Sequence, residues 1–117
     1  MTLRQIFFLS AFALLLSIGQ VLFKQASESL TNGSGPGGFL SLLESGSFWA
    51  AIALYGGSTL LWIWLIREVP LSRAYPFVAL AFVVVPILSH FVLDERISRA
   101  GVAGSALIVL GIVVSQV

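Results

Sequence analysis

The sequence predicts an all-α membrane protein, four transmembrane helices in an antiparallel bundle that form a single domain over residues 1–117. Three observations predict it. Hydrophobic residues make up 58% of the chain and charged residues 9%, where a soluble domain carries roughly 25% charged, and the mean hydropathy is +1.04. Apolar runs of the length that crosses a bilayer core, about 20 residues, recur four times, at about 3–26, 47–66, 73–93 and 98–117. Two of the three connections are so short that the helices they join must be antiparallel neighbours.

The first span lies between Arg4 and Lys24. Its apolar stretch exceeds a secretory signal core, Phe23-Lys24-Gln25-Ala26-Ser27 is a poor cleavage region, and three further spans follow, so the helix is expected to be retained. Gln20 and Lys24 are four apart and share one helical face. A lysine at the end of a span either snorkels to the interface or binds an anion, and both readings stand. Gln20, one turn deeper, points to a polar cavity.

Residues 27–46 are expected as a flexible loop, because Thr31-Asn32-Gly33-Ser34-Gly35-Pro36-Gly37-Gly38 is rich in helix breakers. Phe39 to Leu43 suits a short interfacial turn. The second span ends with Trp62 and Trp64, where an aromatic belt is the first reading and a binding role for Trp62 the second. Arg73-Ala74-Tyr75-Pro76 opens the third span, and Pro86 is expected to bend it by removing a mid-helix donor. Tyr75 offers a ring and a hydroxyl near the surface, suited to stacking on a sugar or to packing on a headgroup. Asp94, Glu95 and Arg96 form the densest ionisable cluster, one turn after His90, and also suit a solvated turn before the fourth helix.

In the fourth span Ala100 and Gly104, and again Gly111 and Ser115, are spaced as small-xxx-small pairs that let helix backbones approach closely. They fit a dimer contact, with packing inside the chain's own bundle as the alternative. Four helices scarcely surround a solute path, so oligomerisation is expected. Arg4, Arg67 and Arg73 fall on one side of the membrane and Lys24, Arg96 and Arg99 on the other. This tie gives no bias for orientation, which permits dual insertion or leaves a partner to decide.

Several functions are disfavoured. A net charge of +1 without a basic cluster speaks against nucleic acid. The chain has no cysteine and one histidine, so no metal centre or cofactor is expected. No Ser/His/Asp set, phosphate loop or intramembrane carboxylate pair is visible, so no enzyme is expected.

Gly19-Gln20-Val21-Leu22-Phe23-Lys24-Gln25-Ala26, Val69 through Pro76, Asp94-Glu95-Arg96 and Gly104 through Ile112 follow in an order and spacing that resemble the drug/metabolite transporter superfamily, in its four-helix branch of EamA-like and small multidrug resistance-like proteins. The multidrug exchangers of that branch carry a membrane glutamate two turns before the lysine. Here that position is Leu16, and no carboxylate lies between Met1 and Gln25. Gly-Gln, Lys-Gln-Ala and Ala-Tyr-Pro are similar to the flippase subunits that move undecaprenyl-phosphate-linked aminoarabinose across the bacterial inner membrane. That resemblance implies membrane lipid and a polyprenyl-phosphate sugar as partners, and pairing of two small subunits, identical or related. It implies that Lys24 pairs with phosphate, that Gln20 and Tyr75 hold the sugar, and that Glu95 sits at a mouth of the path; Trp62 stays a substrate-binding candidate from the reading of the second span alone. The alternative is export of a small cation or metabolite, with Glu28 or Glu95 carrying the coupling. A third class is a membrane protein that transports nothing and stabilises another complex.

Overall fold

A computed structural model describes residues 2–32 and 36–117. Among them are six helices: α1 (Leu3–Asn32), α2 (Pro36–Leu42), α3 (Gly46–Ile66), α4 (Leu71–Val78), α5 (Ala81–Leu93) and α6 (Arg99–Ser115). Three helical segments are long and apolar enough to cross a membrane, Leu3–Leu30, Gly46–Ile66 and Leu71–Leu93, and the apolar helix Arg99–Ser115 is shorter.

Two local expectations need correction. Residues 27–46, expected as a loop, are helical at both ends of the stretch: α1 runs on to Asn32, and α2 occupies Pro36–Leu42. Ala26 is buried, the Ser27 hydroxyl donates to the Lys24 carbonyl (2.6 Å), and α1 packs against α2, so packing carries the helix past the boundary near residue 26. The centre of that expected loop, residues 33–35, lies outside the described residues. The third span breaks at Ala79–Leu80, between α4 and α5, and not at Pro86 itself. A proline lacks the N–H of the i→i−4 ladder and crowds the carbonyl four residues before it, which for Pro86 is Phe82, so the break lies upstream of the turn that Pro86 disturbs and Pro86 stays inside α5. Upstream of Pro86 the backbone tightens into i→i−3 bonds, Ala79 N–H to the Pro76 carbonyl (3.0 Å), Leu80 to Phe77 (3.1 Å) and Phe82 to Ala79 (3.0 Å).

α1 is the central helix, packed along α3 and also against α2, α4 and α5, while α6 lies against α4 and α5. Phe8 meets Trp64, Phe12 meets Trp62, Gln20 meets Tyr55 and Gln25 meets Ser47, so α1 and α3 run antiparallel. In lipid the hydrophobic effect does not press helices together, and close van der Waals packing takes its place. Small buried residues allow that approach: Ala13, Ser17 and Ala26 on α1, Ala51 and Ser58 on α3. The two serine hydroxyls donate to their own helices, Ser17 to the Ala13 carbonyl (2.8 Å) and Ser58 to Leu54 (2.7 Å), which leaves no bare donor in the seam.

The two ends of the molecule differ. At the end holding Arg4 and Arg67, a cluster of Leu9, Phe12, Leu65, Val69, Ala74 and Phe77 fills the space between α1, α3 and α4. Phe12 stacks on Trp62 at 4.9 Å between ring centroids, a contact worth ~0.5–1.5 kcal/mol beyond the area it covers. Arg4 lies over Phe8 and Trp64, Arg67 lies over Trp64, and Gln116 Nε2 ties the end of α6 to the Arg73 carbonyl (3.0 Å). Among the described residues the opposite end, where Lys24 and Arg96 lie, shows no such buried apolar cluster. Large apolar side chains such as Phe7, Phe82, Phe91 and Leu107 are mostly exposed on the outer surface, which lipid covers and water would not tolerate.

Asp94 ends α5 in the left-handed region (φ 59°, ψ 30°), with its N–H donating to the Ser89 carbonyl. Ser98 then starts α6, accepting from the Gly101 N–H (2.9 Å). Aspartate tolerates this backbone and a β-branched residue does not. Asp94→Val is therefore expected to lower stability by about 1–2 kcal/mol, and Asp94→Gly to leave it level or slightly raised. Thermal unfolding in detergent checks both, and equal melting of Asp94→Val and the parent would contradict the expectation.

Candidate functional site

The groove begins at the polar pair Gln20 and Tyr55. Gln20 Nε2 donates to the Tyr55 hydroxyl, and the Tyr55 ring lies on the backbone of Gly19 with Phe23 beside it, 5.1 Å between centroids. Only a residue without Cβ fits there, since a Cβ on Gly19 would stand 2.7 Å from Tyr55 Cδ2. Across from this pair, Val78, Ala81, Phe82, Val85 and Pro86 from the broken third span line an apolar cavity of about 390 Å³ with Leu16. Pro86 itself has no N–H, so the Phe82 carbonyl lacks its i→i−4 partner at the groove wall.

A second cavity, about 420 Å³, continues toward the end of α1 and shares Gln20, Val85 and Pro86 with the first. Lys24, Ser89, Glu95 and Arg96 line it. The two lobes form one open groove, charged at its mouth and apolar one to two turns deeper, with an amide and a phenol at the boundary. Among the described residues no ion pair within 4.0 Å engages Lys24, Glu95 or Arg96, and the ion pair found is Arg67–Glu68 (3.1 Å), at the other end. His90 Nδ1–H donates to the Glu95 carbonyl (2.8 Å) and the Glu95 N–H to the Ser89 carbonyl (3.2 Å), so the turn holds the mouth in place.

Of the residues read from the sequence, the fold brings Gln20, Lys24 and Glu95 together. Tyr75 and Trp62 lie elsewhere, edge to face with each other (6.2 Å), Trp62 against the apolar cluster at the closed end and Tyr75 exposed. Neither lines the groove. Tyr55 and Arg96 do; sequence reasoning missed Tyr55 and noted Arg96 only as part of the ionisable cluster with Asp94 and Glu95. The signal for Tyr55 was a hydroxyl-bearing side chain at the middle of an apolar span, followed by Gly56 and Gly57. On α6, Ala100, Gly111 and Ser115 are exposed and Gly104 is partly so; a Cβ on Gly104 or Gly111 would meet nothing within 4 Å. Among the described residues no three His, Asp or Glu side chains gather in a way that holds a metal.

The chain is 38% identical over 109 residues to a protein of Proteus mirabilis named "Probable 4-amino-4-deoxy-L-arabinose-phosphoundecaprenol flippase subunit ArnE", a match covering 92% of each chain. Proteins of the same name from Pectobacterium atrosepticum (37% identity, 88% of this chain and 89% of that one) and Pseudomonas fluorescens (35%, 81% and 82%) are similar as well. No solved structure matches the chain. Helical spans belong to inner membranes and barrels to the bacterial outer membrane, and the chain is a multi-pass inner-membrane protein. Its sequence fits the profile of the EamA-like transporter family over residues 2–116, and the chain belongs to that family.

Proposed function

We propose that the chain is one subunit of a flippase that carries a polyprenyl-phosphate-linked sugar across the bacterial inner membrane, with no catalytic chemistry of its own. The single observation that carries this reading is the groove, cationic at the mouth through Lys24 and Arg96, and free of carboxylates in its apolar lobe. A phosphate meets the two cations, the sugar meets Gln20 and Tyr55, and the polyprenyl tail stays in lipid beside the helices. A cation exchanger needs the opposite arrangement, an acidic group at depth. The names of the relatives, which specify an amino-sugar phosphoundecaprenol, support the same substrate class.

The transport unit is a dimer of four-span subunits, the spans being α1, α3, α4 with α5, and α6. At 1.5 Å per residue, the 17 residues of α6 reach about 26 Å, a few ångströms short of a typical core of about 30 Å. Mismatch of that size costs fractions of a kcal/mol per ångström and is met by local thinning or by association. The exposed Ala100, Gly104, Gly111 and Ser115 give the partner, identical or related, a surface for close approach.

Proteoliposomes holding the full chain, with whatever subunit co-purifies, test the reading. A fluorescent short-chain polyprenyl-phosphate sugar is expected to cross faster than in empty vesicles, and a cationic dye is expected not to accumulate under a proton gradient. Dye accumulation without lipid movement would overturn the proposal.

A further inference from the structure

A groove built for a simple anion has no use for a carboxylate at its mouth. Glu95 nevertheless lines the same cavity as Lys24 and Arg96. It opposes a phosphate by the same Coulomb law through which the two cations attract it. Neither cation neutralises it, since no ion pair within 4.0 Å joins Glu95 to Lys24 or Arg96. Its position is also fixed by the fold. The left-handed Asp94 precedes it, its N–H donates to the Ser89 carbonyl (3.2 Å), and its carbonyl accepts from His90 Nδ1 (2.8 Å).

Resting on the flippase reading above, we infer that Glu95 is a specificity residue that selects headgroups carrying an amine. The mouth holds two positive groups and one negative, and a zwitterionic headgroup complements all three: its phosphate faces Lys24 and Arg96, and its ammonium faces Glu95. Gln20, one turn deeper on the face of Lys24, and Tyr55, its partner on α3 in the adjoining apolar lobe, are left to hydrogen-bond the sugar hydroxyls. A neutral sugar phosphate leaves the carboxylate opposed to phosphate with nothing in return, so the penalty falls on the wrong substrate.

The test uses two probes in proteoliposomes of the full chain with its co-purifying subunit: a short-chain polyprenyl phosphate bearing a 4-amino sugar, and the same lipid with the amine acetylated. The parent protein is expected to prefer the amine by about fivefold, the scale of a partly exposed ion pair. Glu95→Gln is expected to bring that ratio to about one, and thermal unfolding of the same preparation shows that the variant is folded. Retention of the preference in Glu95→Gln, equal loss of both lipids in that variant, or no preference in the parent would each overturn the assignment of Glu95. In those cases the parent still moves lipid and the flippase reading stands. If the parent moves neither probe, the flippase reading fails and the role of Glu95 fails with it.

Discussion

Lys24→Ala is expected to slow transbilayer movement of a polyprenyl-phosphate sugar by about 10- to 100-fold, and Lys24→Arg to retain most of it. Removing one partner from a buried charge pair costs about 2–5 kcal/mol. Lys24 is exposed in the free chain, so solvent screens part of that cost and about 1.4–2.8 kcal/mol remains, which is 10- to 100-fold. Arg96 remains in the mouth and keeps the loss short of total. The distinction from a mere interfacial anchor lies in what else changes. An anchoring lysine positions the helix, so its removal would disturb insertion and folding while leaving the choice of substrate untouched. A phosphate-binding lysine, once removed, leaves melting temperature and membrane insertion level and weakens binding of any lipid that shares the phosphate. Measuring lipid movement, binding and thermal unfolding on the same preparation separates the two. A Lys24→Ala protein that melts early and binds phosphate lipids normally would return Lys24 to the role of anchor.

Three of the four expected spans were legible because lipid forces every backbone polar group into a helix, and about 20 apolar residues are needed for each crossing; the fourth, Arg99–Ser115, is a shorter apolar helix. The Gln20/Lys24 face was legible too, since a spacing of four fixes both residues on one side of α1 whatever surrounds it. What the sequence did not carry is the rotation of one helix against another. A soluble helix advertises its inward face by amphipathicity, whereas α1, α3 and α5 are apolar nearly all round. Tyr55 therefore looked like any aromatic residue in a span until the antiparallel pairing of α1 and α3 set it against Gly19 and Gln20. Tyr75 carries the same ring and hydroxyl, yet the short turn before α4 places it beside Trp62 at the other end. The proline at position 86 announced a distortion, but it stays inside α5 and the break fell further upstream, at Ala79–Leu80, beyond the one turn a proline disturbs. Helix breakers misled on either side of residues 33–35, where burial of Ala26 and packing of α1 on α2 outweighed composition.

Gly19→Ala is the substitution expected to do the most damage to the groove without touching a charge. In an exposed helix the change to alanine favours folding by about 0.5–1 kcal/mol. Here the new methyl would lie 2.7 Å from Tyr55 Cδ2, well inside van der Waals contact. Overpacking of this kind costs about 1–3 kcal/mol, so a net loss of about 1–2 kcal/mol is expected. The ring has two ways to yield. It can swing off α1, which breaks the Gln20 hydrogen bond and presses on Phe23. Alternatively α1 and α3 move apart, which loosens a seam built on Ala13, Ser17, Ala51 and Ser58. Both routes displace the amide and phenol that stand between the charged mouth and the apolar lobe. Lipid movement should therefore fall by more than the lowered melting temperature accounts for. The partner variant identifies the cause: in a Tyr55→Ala background the methyl meets no ring, and Gly19→Ala should become neutral or stabilising, a coupling of about 1–3 kcal/mol between the two positions. If Gly19→Ala costs the same with and without the Tyr55 ring, the glycine is not there to seat that ring and the positioning of Gln20 must be sought elsewhere.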